Sequence, residues 1–201
     1  MGNGNTESPS PPRTSWEVPS ITWDELIDIV DTNQHIHLQR GPAELQRYEA
    51  WSADTRAKYG SVTTYLLTQV LPKAWGSQPF SPASTIPFQD PSDYRVLLND
   101  WPHGFPSNVK QMVIWTRALI PTESDDGDMT PAARAVVESF VQRYFRDRLV
   151  GGTPDQLVWF RNWGATRSVP SIDHIHVLVR DVDPSIIEEW TREQEYHLAP
   201  R

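Results

Sequence analysis

No cysteine occurs among the 201 residues, which excludes disulfides, thiolate metal sites and a cysteine nucleophile. Basic charge is scarce as well: 18 Lys and Arg face 26 Asp and Glu, a formal net charge of -8. A protein that grips a phosphate backbone needs a basic face to release counterions, so nucleic acid is disfavoured as a partner. No apolar run reaches the ~18 residues of a membrane span, and the opening MGNGNTESPSPPRTS lacks the basic-then-apolar order of a secretory signal. The chain therefore reads as cytoplasmic. Gly2 and Thr6 do satisfy the myristoylation pattern, but one acyl chain binds membranes only marginally. With no cysteine to palmitoylate and no polybasic patch, no stable membrane association is expected.

What is present is bulk for burial. Nine Trp, six Tyr and six Phe supply large apolar side chains for one core, and 201 residues is a length that one domain fills. The 18 prolines exceed the usual share of about 5%, so long loops are expected. Residues 1–20 are rich in Ser, Pro, Gly and Asn and carry too little apolar surface to offset ordering entropy; they read as a disordered tail. Residues 21–201 read as a single domain with a helical layer over 21–75, a loop over 76–92 and a sheet core over 93–201.

Local signals carry this division. Thr22 and Glu25 make a capping box ahead of an apolar run, Pro42 opens a helix to about Lys58, and Ser61 caps another that Pro72 stops. Alternating residues over 94–98 and a β-branched run over 109–116 flank the turn sequence D-W-P-H-G-F-P, which predicts a hairpin. Thr130 and Pro131 start an amphipathic helix. Strands are expected over 157–161 and 172–180, with a closing helix from Pro184. Helices followed by ββαββα argue an α+β fold on an antiparallel sheet.

His174 and His176 lie two apart in D-H-I-H-V-L-V, so both imidazoles share one face of the strand and Asp173, Ile175, Val177 and Val179 share the other. Such a pair can hold a metal, act on phosphorus or simply be a hydrogen-bonded pair in a half-buried strand. Upstream, Asn162, Gly164, Arg167 and Ser168 cluster in R-N-W-G-A-T-R-S. Amide and hydroxyl donors, a planar cation and a close backbone approach are the groups that hold a phosphate. Asp173 points away from the histidines, which ranks a metal site last and makes no cofactor necessary. His35 and His37 repeat the H-I-H pattern in a linker without carboxylate- or glycine-rich context. Asp100 and His103 are accounted for as turn residues, with Trp101 as an anchor.

The ββαββ order, Asn162 and Gly164, the pair Ser168-Val169 and the run H-I-H-V-L together resemble the histidine triad superfamily of nucleotide hydrolases and transferases. The resemblance implies that His174 is the nucleophilic middle histidine and His176 the last of the triad. The chain departs from the pattern at Ile172, where the first histidine belongs, and at Arg167, where the family has glutamine. The glycine segment is also two residues shorter, and Ser168 lies one residue further from His174. A second resemblance spans more of the chain. N-D-W-P-H-G at 99–104, V-I-W at 113–115, V-W-F-R-N at 158–162 and S-V followed by H-I-H-V-L-V are similar to the fungal N-acetylglucosamine-induced protein family. That likeness implies a fungal cytosolic protein linked to amino-sugar response. In it His103 stands where an aromatic residue is expected, which makes it a poor essential group.

Two functions follow as expectations. One is a site for a phosphate-containing ligand, a nucleotide or sugar nucleotide: His174 attacks phosphorus, His176 and Arg167 stabilise charge, and Asn162, Gly164 and Ser168 bind. The other is a regulatory or interaction protein that keeps the fold without activity, which the loss of the first histidine favours.

Overall fold

The computed structural model describes residues 21–38, 40–123, 128–149, 152–162, 169 and 171–197. Residues 1–20, and with them Gly2 and Thr6, lie outside the described residues, as do Gly164, Arg167, Ser168 and most of the acidic loop before Asp128. The first helix, α1 (Trp23–Asp31), begins at the expected capping box: Thr22 Oγ1 accepts the Glu25 N–H and Glu25 Oε2 accepts the Thr22 N–H. Helix α2 (Pro42–Tyr59) has proline in its first turn and ends on Gly60 at φ +82°, a conformation that costs glycine little. Ser61 caps α3 (Val62–Tyr65), which widens into a π-helical turn over Leu66–Val70 where an unbroken α-helix is expected. The wide turn closes on Leu71, whose N–H donates to the Leu66 carbonyl.

Beyond this helical region, β1 (Tyr94–Leu98) and β2 (Val109–Thr116) form the predicted hairpin. Helix α4 (Pro131–Tyr144) follows, capped by Thr130. Then come β3 (Leu157–Phe160), β4 (Asp173–Arg180) and α5 (Pro184–His197). The sheet is antiparallel throughout, in the order β1-β2-β4-β3. This α+β architecture, with the ββαββ order, is the one that the histidine triad resemblance implies.

The two faces of the sheet do different work. On one, Tyr94, Val96, Met112, Ile114, Ile175, Val177 and Val179 pack with Val137, Phe140, Val141 and Phe145 of the α4 region and with Ile187 and Trp190 of α5. Phe140 stacks on Phe88 at 4.6 Å, so the proline-rich connection enters this core too. The same connection is pinned by Asp93, fully buried: Ala83 and Ser84 donate their N–H groups to its carboxylate, and Arg117 pairs with it. The opposite face carries two smaller apolar clusters. The α3 segment packs on Val113, Trp115 and Ile172 at one end. Helix α1 packs on Val158, Phe160 and Leu178 at the other. His174 and His176 lie between them.

Candidate functional site

Strand alternation sets the floor of the site. Cross-strand pairing places Trp115 opposite His174, and both Val113 and Phe160 opposite His176, all pointing to the face covered by the N-terminal helices. The two imidazoles stand edge to face, 5.4 Å apart, and both are buried. Trp115 lies 4.5 Å from the His174 ring, and Phe160 stacks on His176 at 5.0 Å. Asp173 turns to the other face, as its place in the alternation requires. There it pairs with Arg161 at 2.8 Å and accepts the Ile120 N–H. Among the described residues no group of three or more His, Asp or Glu is placed to hold a metal ion.

Hydrogen bonds assign the protons. His174 Nδ1 lies 2.8 Å from the Ile172 carbonyl oxygen, a contact that requires an N–H at Nδ1 and so puts the lone pair of the neutral ring on Nε2. His176 has a side-chain amide beside each of its ring nitrogens. Gln111 Oε1 accepts the His103 N–H at 3.3 Å, which turns the amide nitrogen toward His176 Nδ1 at 3.1 Å and His103 Nδ1 at 3.4 Å. An amide donor at Nδ1 leaves the His176 proton on Nε2. Asn162 Nδ2 lies 3.3 Å from that nitrogen, so an N–H at Nε2 requires the Asn162 amide turned to present its oxygen.

Burial holds His176 well below the ordinary imidazole range, and the neighbouring His174, His103, His35 and Arg40 push it the same way. Burial and Arg40 also bring His103 down to about 4, against a small upward pull from the Gln111 hydrogen bond. His35, which the sequence places in a linker, is buried in a 3-10 turn and tilts over Phe160 at 4.8 Å, on a ring that also stacks on His176. Burial and Arg134 take it to about 4 as well.

A cavity of about 100 Å³ opens above the pair. Its walls include Val113, Trp115, His174 and His176 from the sheet, Tyr65 and Leu66 from the α3 segment, and Tyr48 and Trp51 from α2. Asp100 and Trp101 reach it from the hairpin turn, and Arg40 from the segment before α2. Of the residues expected at a phosphate site, His174, His176 and Asn162 come together; Gly164, Arg167 and Ser168 belong to the segment outside the described residues. Ile172 is buried in the apolar cluster beside Trp115. The residues that sequence reasoning set aside or passed over are Arg40, the α2 aromatics, Gln111 and His103. The turn residues Asp100 and Trp101 wall the cavity in addition to shaping the turn.

Comparison with known proteins gives three kinds of match. The family model described as "Protein of unknown function (DUF3605)" matches residues 22–180. N-acetylglucosamine-induced protein 1 of Candida albicans is 29% identical over 187 residues, covering 84% of this chain and 72% of its own length. An uncharacterized protein of Saccharomyces cerevisiae is 27% identical over 165 residues, with 81% and 80% covered. Among solved structures, the crystal structure of HTC1 superposes with a TM-score of 0.67 at 23% identity, covering 88% of this chain and 96% of that one. At that identity the match speaks for the fold.

Proposed function

The chain belongs to the DUF3605 family, and from that footing we propose that it is a cytoplasmic protein binding a phosphate-containing ligand, a nucleotide or sugar nucleotide, at the His174/His176 cavity. One observation carries the reading: two buried imidazoles meet under an aromatic cavity, with His174 held through Nδ1 so that its lone pair is on Nε2. That nitrogen is the one that can attack phosphorus. In such a step an N–P bond forms, the P–O bond to the leaving group breaks, and water later cleaves the phosphoramidate. His176 and Arg167 would spread the charge, and Asn162, Gly164 and Ser168 would hold oxygens.

A second reading has its own support. Ile172 fills the first triad position and is 1% exposed among apolar neighbours, so no polar side chain from that position reaches the attacking ring. A protein that binds the ligand without turning it over fits this arrangement. The name of the Candida relative ties that protein to N-acetylglucosamine, which makes amino-sugar phosphates and their nucleotides the first ligands to test. A thermal-shift panel of nucleotides, sugar nucleotides, amino sugars and divalent metals tests binding. His174→Ala then separates the readings. Loss of turnover with binding kept supports chemistry on phosphorus, and binding without turnover in the wild type supports the non-catalytic role. If nothing phosphorylated binds at millimolar concentration, the site reading fails.

A further inference from the structure

We propose that Arg40 holds the anion of this cavity's ligand and that Tyr48, Trp51 and Trp101 stack its ring, so that the site takes a phosphate carrying a hydroxylated ring. The inference rests on the phosphate reading above and names the ligand class.

Arg40 is half-buried and has five N–H donors. Its Nε and Nη2 both donate to the Trp101 carbonyl oxygen, at 3.3 and 2.9 Å, and its plane lies 4.3 Å over the Tyr48 ring. Those contacts fix the fork and use two donors, and among the described residues no carboxylate pairs with the cation. A half-buried cation without a counter-charge is costly unless something supplies one. The neighbouring histidines supply none: His103 and His176 are both driven toward the neutral ring, in part by this guanidinium. Arg40 is thus a cation set among rings on the cavity wall, which suits a phosphate.

The aromatic residues decide what the phosphate is attached to. Trp51 and Trp101 lie 5.1 Å apart at 38°, Tyr48 lies 5.7 Å from Trp101, and Tyr65 closes on Trp51 at 5.8 Å. Tyr65 also packs on the apolar cluster of the sheet, whereas Tyr48, Trp51 and Trp101 belong to neither of the clusters on that face. Asp100 lines the same cavity. A carboxylate there repels phosphate and accepts hydroxyl groups, so the ligand's hydroxyls face Asp100 and its anion faces Arg40. Both a nucleobase with its ribose and the CH face of a pyranose meet these demands; their shared chemistry is a phosphate on a hydroxylated ring system. A cavity of about 100 Å³ admits a single ring, with the rest of the ligand at its mouth.

The test is isothermal titration of the full chain with paired ligands: AMP against adenosine, N-acetylglucosamine 6-phosphate against N-acetylglucosamine, and inorganic phosphate alone. The wild type is expected to prefer the phosphorylated member of at least one pair by about tenfold or more, the worth of one charge-assisted pair. The pair that shows it identifies the ring. Arg40→Gln should collapse that preference to about twofold while the unphosphorylated member binds as before, and Arg40→Lys should restore part of it. Trp51→Leu should weaken both members of the pair equally. An Arg40→Gln protein that folds and keeps the preference overturns this inference and leaves the phosphate reading standing. Should that variant not fold, an unchanged preference in Arg40→Lys overturns it in the same way. If the wild type binds no phosphorylated ligand at all, both fall together.

Discussion

Gln111→Leu removes the side chain that meets His176 Nδ1, and its cost can be worked from the contacts. Gln111 is 4% exposed, and its amide meets three polar groups: His176 Nδ1 at 3.1 Å, the His103 N–H at 3.3 Å and His103 Nδ1 at 3.4 Å. Leucine has similar bulk, so the packing loss is small. The acceptor on His176 sits on a buried ring, and stranding such a group costs about 1–3 kcal/mol. The two longer contacts add about 0.5 kcal/mol each at most. The expected destabilisation is about 1–4 kcal/mol, or about 2–16 °C in Tm for a domain of this size. Urea unfolding at pH 7.5 measures the first quantity. Long-range ¹H–¹⁵N spectra of the imidazoles measure the second effect, a shift of His176 away from the Nε2–H tautomer. A variant within about 0.5 kcal/mol of wild type whose His176 tautomer is unchanged would refute the assignment of protons given above.

Three further outcomes follow from the packing and the buried rings. His35, His103 and His176 all have depressed pKa values in the folded state, so between about pH 6.5 and 4 the unfolded chain binds more protons; the unfolding free energy, and with it the urea midpoint, should fall as pH drops through that window, the free energy by up to ~1.4 kcal/mol per pH unit for each histidine. A flat midpoint over pH 7 to 4.5 would show that these rings charge without unfolding. Phe140→Ala should cost about 3–5 kcal/mol in urea unfolding, because the ring is 1% exposed and touches Phe88, Tyr94, Tyr144 and Phe145. Ile172→His, which rebuilds the triad pattern, should lose about 2–4 kcal/mol of stability by placing a polar ring among Leu66, Leu71 and Trp115. A fully stable Ile172→His protein, checked by thermal melt, would mean that this corner already accommodates a histidine.

The parts of this molecule that could be read in the sequence are those with a local cause. The Thr22–Glu25 capping box, the prolines opening α2 and α4 and the two-residue alternation around His174 each act within a few residues, and each appears where its pattern stands. The parts that could not be read depend on distant partners. Gln111 is a polar residue in a strand until the hairpin folds and sets it beside His103 and β4 sets it beside His176. His35 reaches Phe160 across 125 positions, and Arg40 reaches Trp101 across 61, separations for which spacing rules say nothing. Helix α2 hides its contribution for a further reason: it buries Ser52 and Thr55, leaves Leu45 42% exposed and gives its aromatics to the cavity. A helix used this way has no apolar stripe to find.

That use of α2 locates selectivity in the fold. The ββαββ sheet supplies the floor, two imidazoles with Trp115 and Val113, and its other face is sealed by α4 and α5 whatever binds above. On the proposed reading, the polar and ring groups that would distinguish one ligand from another come from outside that floor: Arg40, Tyr48 and Trp51 from the helical layer, Asp100 and Trp101 from the hairpin turn. These two contributions are tied to each other more than to the sheet, through the Arg40 hydrogen bonds to the Trp101 carbonyl and the Trp51–Trp101 and Tyr48–Trp101 ring contacts. A substitution at Trp101 therefore acts on the ring wall and on the seat of Arg40 at once, and its effects on binding should not be additive with those of Arg40. Changes at Trp115 or Val113 lack that link and should alter the histidines' surroundings while leaving the roof in place. In the proposed site the chemistry and the choice of ligand would thereby be carried by separate pieces of chain, each open to change without rebuilding the other.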